Sequence, residues 1–404
     1  DLSEECIDND YAVDVFSRIN IGKIPLTNAE LVKALFLQRS HFEKTQASLK
    51  QIQIASDWDV IEKRLQESDF WHFIYSADRG RNYETRIEYI FDLMKGKKTD
   101  DEPYFTFHQF NAAFKQGQFD IESLWKEIKD FFLTFDEWYR DRELYHLIGF
   151  LVNCDSNVAK LKHQSQREGM TKTSFKAYLR DEIRKEVRCQ LSKLTYGDRL
   201  IKKVLLLFNI QTLLATKEAD VRFPFDRYKN ERWDIEHIQS RTATTLSGTG
   251  RDAWLDYMQT YLTQDPRLSE GAVIQGFVQK INRLKEQEKI DENDFAALYR
   301  DVNDYFVGEE DIPWVDDVGN LALLDATTNR SYKNALFPVK RARIIRNDMQ
   351  GIFVPICTKN VFLKYYSRSS ADLRDWKKSD ANDYTQAIAD VLSEYLSEQE
   401  DGDA

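Results

Sequence analysis

Glycine and proline are scarce, 15 and 7 residues in a chain of 404, which excludes collagen-like and Pro/Gly low-complexity classes. Long apolar runs are missing as well. The densest, Val204–Phe208, is broken by Asn209, well short of the roughly 20 residues a membrane span needs. The four cysteines, Cys6, Cys154, Cys189 and Cys357, stand singly, so no CxxC zinc site can form and reduced thiols are expected. No Gly-rich phosphate loop and no internal repeat is present. Net positive charge is lacking too: 57 basic against 68 acidic residues leave −11. The molecule as a whole therefore repels a phosphate backbone, and any nucleic-acid contact must come from charge concentrated locally. The chain opens Asp1-Leu2-Ser3-Glu4-Glu5 without an initiator Met or signal peptide, and reads as a piece of something longer. What remains is the composition of a cytoplasmic, mainly α protein with two or three domains and a sizeable core.

The first 220 residues read as helices with short breaks. Leu26-Thr27-Asn28-Ala29-Glu30-Leu31 is a capping box, with Thr27 as N-cap, Glu30 three residues on, and a Leu26–Leu31 staple. Ile121, Leu124, Trp125, Ile128, Phe131, Phe132, Phe135 and Trp138 recur at helical spacing and predict a buried helix whose aromatics are core. A second helical pattern runs from Phe175 to Leu214. After Thr216 the pattern changes. Phe223-Pro224-Phe225 stops the helices, and Arg232–Gln239 alternates as a strand does. A polar, helical stretch fills 242–311, Val318–Leu324 is a second strand candidate, and Thr328 onward turns helical again. Ala371–Leu396 reads as one or two amphipathic helices.

Histidine is the informative count. Of six, five (His41, His72, His108, His146, His163) lie in the helical first half beside aromatics or on polar faces, and the structural reading suits each. His237 is alone in the last 241 residues, inside Trp233-Asp234-Ile235-Glu236-His237-Ile238. Downstream stand Val318-Gly319-Asn320-Leu321-Ala322-Leu323-Leu324-Asp325 and Thr328-Asn329-Arg330-Ser331-Tyr332-Lys333-Asn334. Together these resemble the strand–loop–strand–helix of HNH, or His-Me finger, nucleases. Phosphodiester hydrolysis calls for such parts: a base titrating near neutrality, which imidazole supplies, and a hard cation at the leaving oxygen. It also calls for basic groups at the phosphate. From Asn329 to Asn347 there are six basic residues and no acidic one, and Arg330, Lys333, Lys340 and Arg341 are candidates. A solvated helix face could carry the same charges.

Ile235-Glu236-His237-Ile238, Gly319-Asn320-Leu321, Asn329, and Phe337 with Lys340-Arg341 also resemble the C-terminal nuclease domain of GmrSD-type restriction proteins. Val15-Phe16-Ser17-Arg18-Ile19-Asn20-Ile21-Gly22-Lys23 and Leu26–Leu31 resemble the later part of that family's N-terminal domain. The resemblance implies residues 1–170 as the rest of a helical, nucleotide-dependent domain. It implies 171–404 as a nuclease domain, with a ββα-metal core at about 221–350 carrying helical insertions. By the same resemblance His237 is the general base, Glu236 and Asn329 hold Mg or Mn with Asp234 as a further candidate, and Asn320 orients the histidine loop. Family members are type IV restriction enzymes that use NTP, often GTP, and cut phage or foreign DNA carrying modifications. Two departures stand out. The family's Asp-Gly-Gln-Gln-Arg nucleotide motif is missing, so NTP use is expected only if an N-terminal segment or companion subunit supplies it; Arg18 and Asn20 could belong to that site or to helix packing. Gln239-Ser240 stands where the family usually has a proline. The expected function is thus a metal-dependent DNA endonuclease of anti-phage defence. The alternatives are a helical sensor of modified DNA, disfavoured by the retained Glu236, His237 and Asn329, and an RNA-cleaving toxin on the same fold.

Overall fold

The computed structural model describes residues 26–38, 42–75, 83–115, 120–216, 220–240, 249–264, 271–307, 313–326, 328, 335–368 and 375–396. Arg18, Asn20, His41, Asn329, Arg330 and Lys333 lie outside them. The chain is mainly helical, with one two-stranded sheet among the described residues. No described helix is long and apolar enough to cross a membrane. It divides into two compact units, 1–141 with 155–172, and 142–154 with 173–404. The excursion of residues 142–154 into the second unit has no sequence signal.

In the first unit, α1 (Asn28–Phe36) starts at the capping box read from the sequence, Thr27 and Glu30 each bonding the other's backbone. It is followed by α2 (Ala47–Leu65), α3 (Ser68–Ile74), α4 (Ile87–Lys95), α5 (Phe105–Lys115) and α6 (Ile121–Arg140). The eight apolar positions predicted to share one face of α6 are all buried. Trp125 stacks on Trp58 at 6.0 Å, and Phe36, Phe91 and Phe110 close the cluster edge-on. These aromatics are core: each ring hides on the order of 150–250 Å² from water. The next helix, α7 (Arg142–Asn153), belongs to the second unit, and α8 (Val158–Ser165) returns to the first.

The second unit is built round α10 (Arg199–Ala215). Its Val204–Phe208 run is buried on every side, as a helix apolar all round must be. The single helix expected over 175–214 is in fact two, α9 (Lys172–Val187) and α10, separated by a short 3-10 turn and by Gly197 at φ 99°. The apolar spacing continues across the gap, which is why the sequence reads as one helix. Asn209, in mid-α10, donates to the Leu205 carbonyl and accepts the Cys357 amide at 2.9 Å. That bond satisfies a first-turn donor of α16 (Ile356–Phe362), a group that has no partner within its own helix.

Entry to the sheet is fixed from α7. Tyr145 donates to the Phe223 carbonyl at 2.7 Å, and Nε2 of His146 accepts the Phe223 amide at 3.0 Å. Gly149 leaves room for the Phe225 ring, which a Cβ would meet at 2.1 Å. After α11 (Phe225–Asn230) comes β1 (Trp233–His237), shorter than the 232–239 alternation suggested. The described residues then form α12 (Thr249–Gln264), α13 (Ala272–Lys285) and α14 (Glu292–Val307) before β2 (Leu321–Asp325), α15 (Phe337–Met349), α16 and α17 (Lys378–Leu392). His146 carries a pH dependence. Burial pushes its imidazole down to about 4, against the raising bond of Nδ1 to the Arg142 carbonyl. The unfolded chain takes up a proton near pH 6.5 that the native state refuses, so stability present above 6.5 is lost as pH falls toward 4. The full loss is about 3 kcal/mol. Urea midpoints of the full chain between pH 7 and 5 should fall, and the slope should shrink in H146Q; a flat profile would contradict the assignment.

Candidate active site

Strands β1 and β2 pair antiparallel, Trp233 opposite Asp325, Glu236 opposite Ala322 and His237 opposite Leu321. Two strands that pair this closely are separated in sequence by α12, α13 and α14, so the chain leaves at the end of β1 and must return to it in register. Asn320 secures that closure. Its side chain is buried: Oδ1 accepts the Gln239 amide at 2.8 Å, and Nδ2 donates to the Gln239 carbonyl at 2.9 Å and the Val315 carbonyl at 2.7 Å. Its own carbonyl accepts the Ile238 amide at 2.8 Å. The preceding Gly319 allows this placement, because a Cβ there would lie 2.4 Å from the Ala381 carbonyl oxygen of α17.

His237, at the end of β1, keeps part of its ring at the surface. Nε2 lies 3.0 Å from Oδ1 of Asp316, and the Tyr196 ring sits 4.4 Å from the imidazole, centroid to centroid. An ionised carboxylate only accepts, so Nε2 carries the proton and Nδ1 the lone pair. Burial holds His237 below its ordinary value; the bond to Asp316 opposes this and the Lys340 charge adds to it. Near neutral pH the ring is therefore the unprotonated form that a general base requires. Asp316 was not singled out in the sequence. It stands 79 positions from its partner, among many other acidic residues, and only the returning chain brings it there. Its own backbone carbonyl is tied to the Tyr196 amide at 2.8 Å.

Glu236 and Lys340 differ from expectation together. Lys340 was expected to reach toward phosphate. Its side chain is instead buried on α15, with Nζ 2.5 Å from Oε1 of Glu236 and 2.5 Å from the His237 carbonyl oxygen. The face it shares is that of Phe337, Ile344 and Asn347, all buried. Arg341 is half-buried and Asp234 exposed. Thr328, next to Asn329, is buried and held by Asp325 and Asn347. The described residues contain no group of three or more His, Cys, Asp or Glu able to hold a metal ion. The Glu236 carboxylate, already neutralised by an ammonium, does not fit a free ligand for Mg or Mn. The placement of Asn329, and of Arg330 and Lys333, falls outside the described residues.

Residues 296–391 match the family model of the GmrSD restriction endonucleases, C-terminal domain. The match includes Asn320, Asn329, Lys340 and Arg341 and begins downstream of β1, so Glu236 and His237 lie outside it. No curated protein and no solved structure matches the chain.

Proposed function

We propose, taking that restriction-endonuclease domain as premise, that the protein is an HNH-type DNA endonuclease of a defence system, acting in the cytoplasm on modified or foreign DNA. The observation that carries the reading is the His237–Asp316 pair at 3.0 Å at a strand end closed by Asn320. In this reading Nδ1 of His237 takes a proton from the attacking water, and Asp316 steadies the ring and the charge it gains. Arg330, Lys333 and Arg341 remain the proposed phosphate contacts. The Mg or Mn ion implied by the resemblance enters as a requirement to be tested, with Asn329 as its proposed donor, and no step is assigned to it. GTP enters only with a companion that carries the nucleotide motif.

The test is cleavage of plasmid, modified phage DNA, single-stranded DNA and RNA, each with Mg and with EDTA. The expected result is cutting of duplex DNA with Mg, strongest on modified DNA, and none with EDTA. Preference for RNA would favour the toxin alternative. Binding of modified DNA without cutting any substrate would favour the sensor.

A further inference from the structure

We propose that Lys340 is a positioning residue: its buried ammonium is the counter-charge of Glu236 and holds the His237 end of β1 in the geometry the reaction needs. The proposal rests on the reading of His237 as the base. A lysine 1% exposed in a helix face otherwise made of Phe337, Ile344 and Asn347 carries a large desolvation cost, tolerable only where its partners are well placed. Both partners belong to consecutive residues at one strand end, the Glu236 carboxylate and the His237 carbonyl. The ammonium thus ties the last two residues of β1 to α15.

Other elements act on the same short stretch. Asn320 holds the Ile238 amide and both backbone groups of Gln239, and Asp316 holds the imidazole itself. The partners of these bonds are 103, 81 and 79 positions away in sequence. Restraints from two separate parts of the chain, the Asp316–Asn320 segment and α15, converge on residues 236–239, where the His237 ring stays partly open to solvent. Packing alone does not require that convergence; holding a reactive nitrogen in place does. The same contacts remove Lys340 from the phosphate track and Glu236 from the free metal donors, since a divalent ion on that carboxylate would crowd a buried ammonium.

The experiment uses the full chain and compares wild type with K340M, E236Q and the double variant K340M/E236M. Melting temperature, kcat and KM for duplex DNA, the salt dependence of DNA binding and the half-saturating Mg concentration are measured on each. Loss of the ammonium should lower kcat about 10²-fold, the scale of a misplacement near 1 Å. KM and the salt slope should stay within about twofold, since no phosphate contact is lost. K340M should also melt lower, because it leaves Glu236 buried without its counter-charge. The double variant should recover the melting temperature but not kcat, because the His237 carbonyl still lacks its donor. If K340M does not fold, the double variant carries the test alone.

Recovery of kcat along with stability would overturn the proposal and leave a purely structural ion pair. So would a flattened salt slope with unchanged kcat in K340M, the signature of a phosphate contact. A tenfold or greater rise in half-saturating Mg in E236Q, at unchanged melting temperature, would return Glu236 to the metal. A wild type that cuts nothing overturns the nuclease reading and the positioning role with it, while the melting temperatures still report whether the ion pair couples.

Discussion

Replacing His237 by alanine is expected to lower DNA cleavage by about 10²–10⁴-fold, the usual contribution of a positioned general base. Folding and DNA binding should be nearly unchanged. The ring is partly exposed, its bond is to Asp316 and its ring contact is with Tyr196, so alanine removes a small packing area and leaves a carboxylate that water can reach. The two effects separate in one preparation: single-turnover cleavage at saturating DNA reports the chemistry, and a melting curve with a binding isotherm reports the rest. A variant that cuts within a few-fold of wild type would show that His237 is not the base.

Asn320 should be costly in a different way. It is fully buried and makes three side-chain bonds, to the Gln239 amide, the Gln239 carbonyl and the Val315 carbonyl. Alanine would strand those backbone groups away from water at about 1–3 kcal/mol each. Partial relaxation and water entry make a total near 4 kcal/mol reasonable, or roughly 10 °C in melting temperature for a unit of this size. Cleavage should fall as well, since the loop after His237 loses its anchor. Aspartate should rescue little, because a carboxylate would face two carbonyl oxygens. An N320A protein that melts with wild type would contradict the clamp.

The elements of the fold were legible where one segment carries its own signal. The face of α6 from Ile121 to Trp138 and the capping box at Thr27 need only residues near in sequence. The break between Val187 and Arg199 was not legible, because apolar residues keep helical spacing through a gap that Gly197 turns. At the site, the strand bearing His237 could be read from its alternation. Asp316 could not, because the stretch carrying α12, α13 and α14 intervenes and nothing local distinguishes it from Asp317. Lys340 is the instructive case. A run of basic residues reads as an exposed face when only charge is counted. The 3-4-3 spacing of Phe337, Lys340, Ile344 and Asn347 was a signal for an inward lysine, overridden by the charge around it.

The central claim is that water activated by His237 breaks a phosphodiester bond. Cleavage of duplex DNA in ¹⁸O-labelled water, followed by mass analysis of the fragment ends, tests it most directly. Wild type should place one ¹⁸O in each newly formed terminal phosphate, at a rate that collapses in H237A. Unlabelled product phosphates, or labelling at the same rate in H237A, would contradict the account.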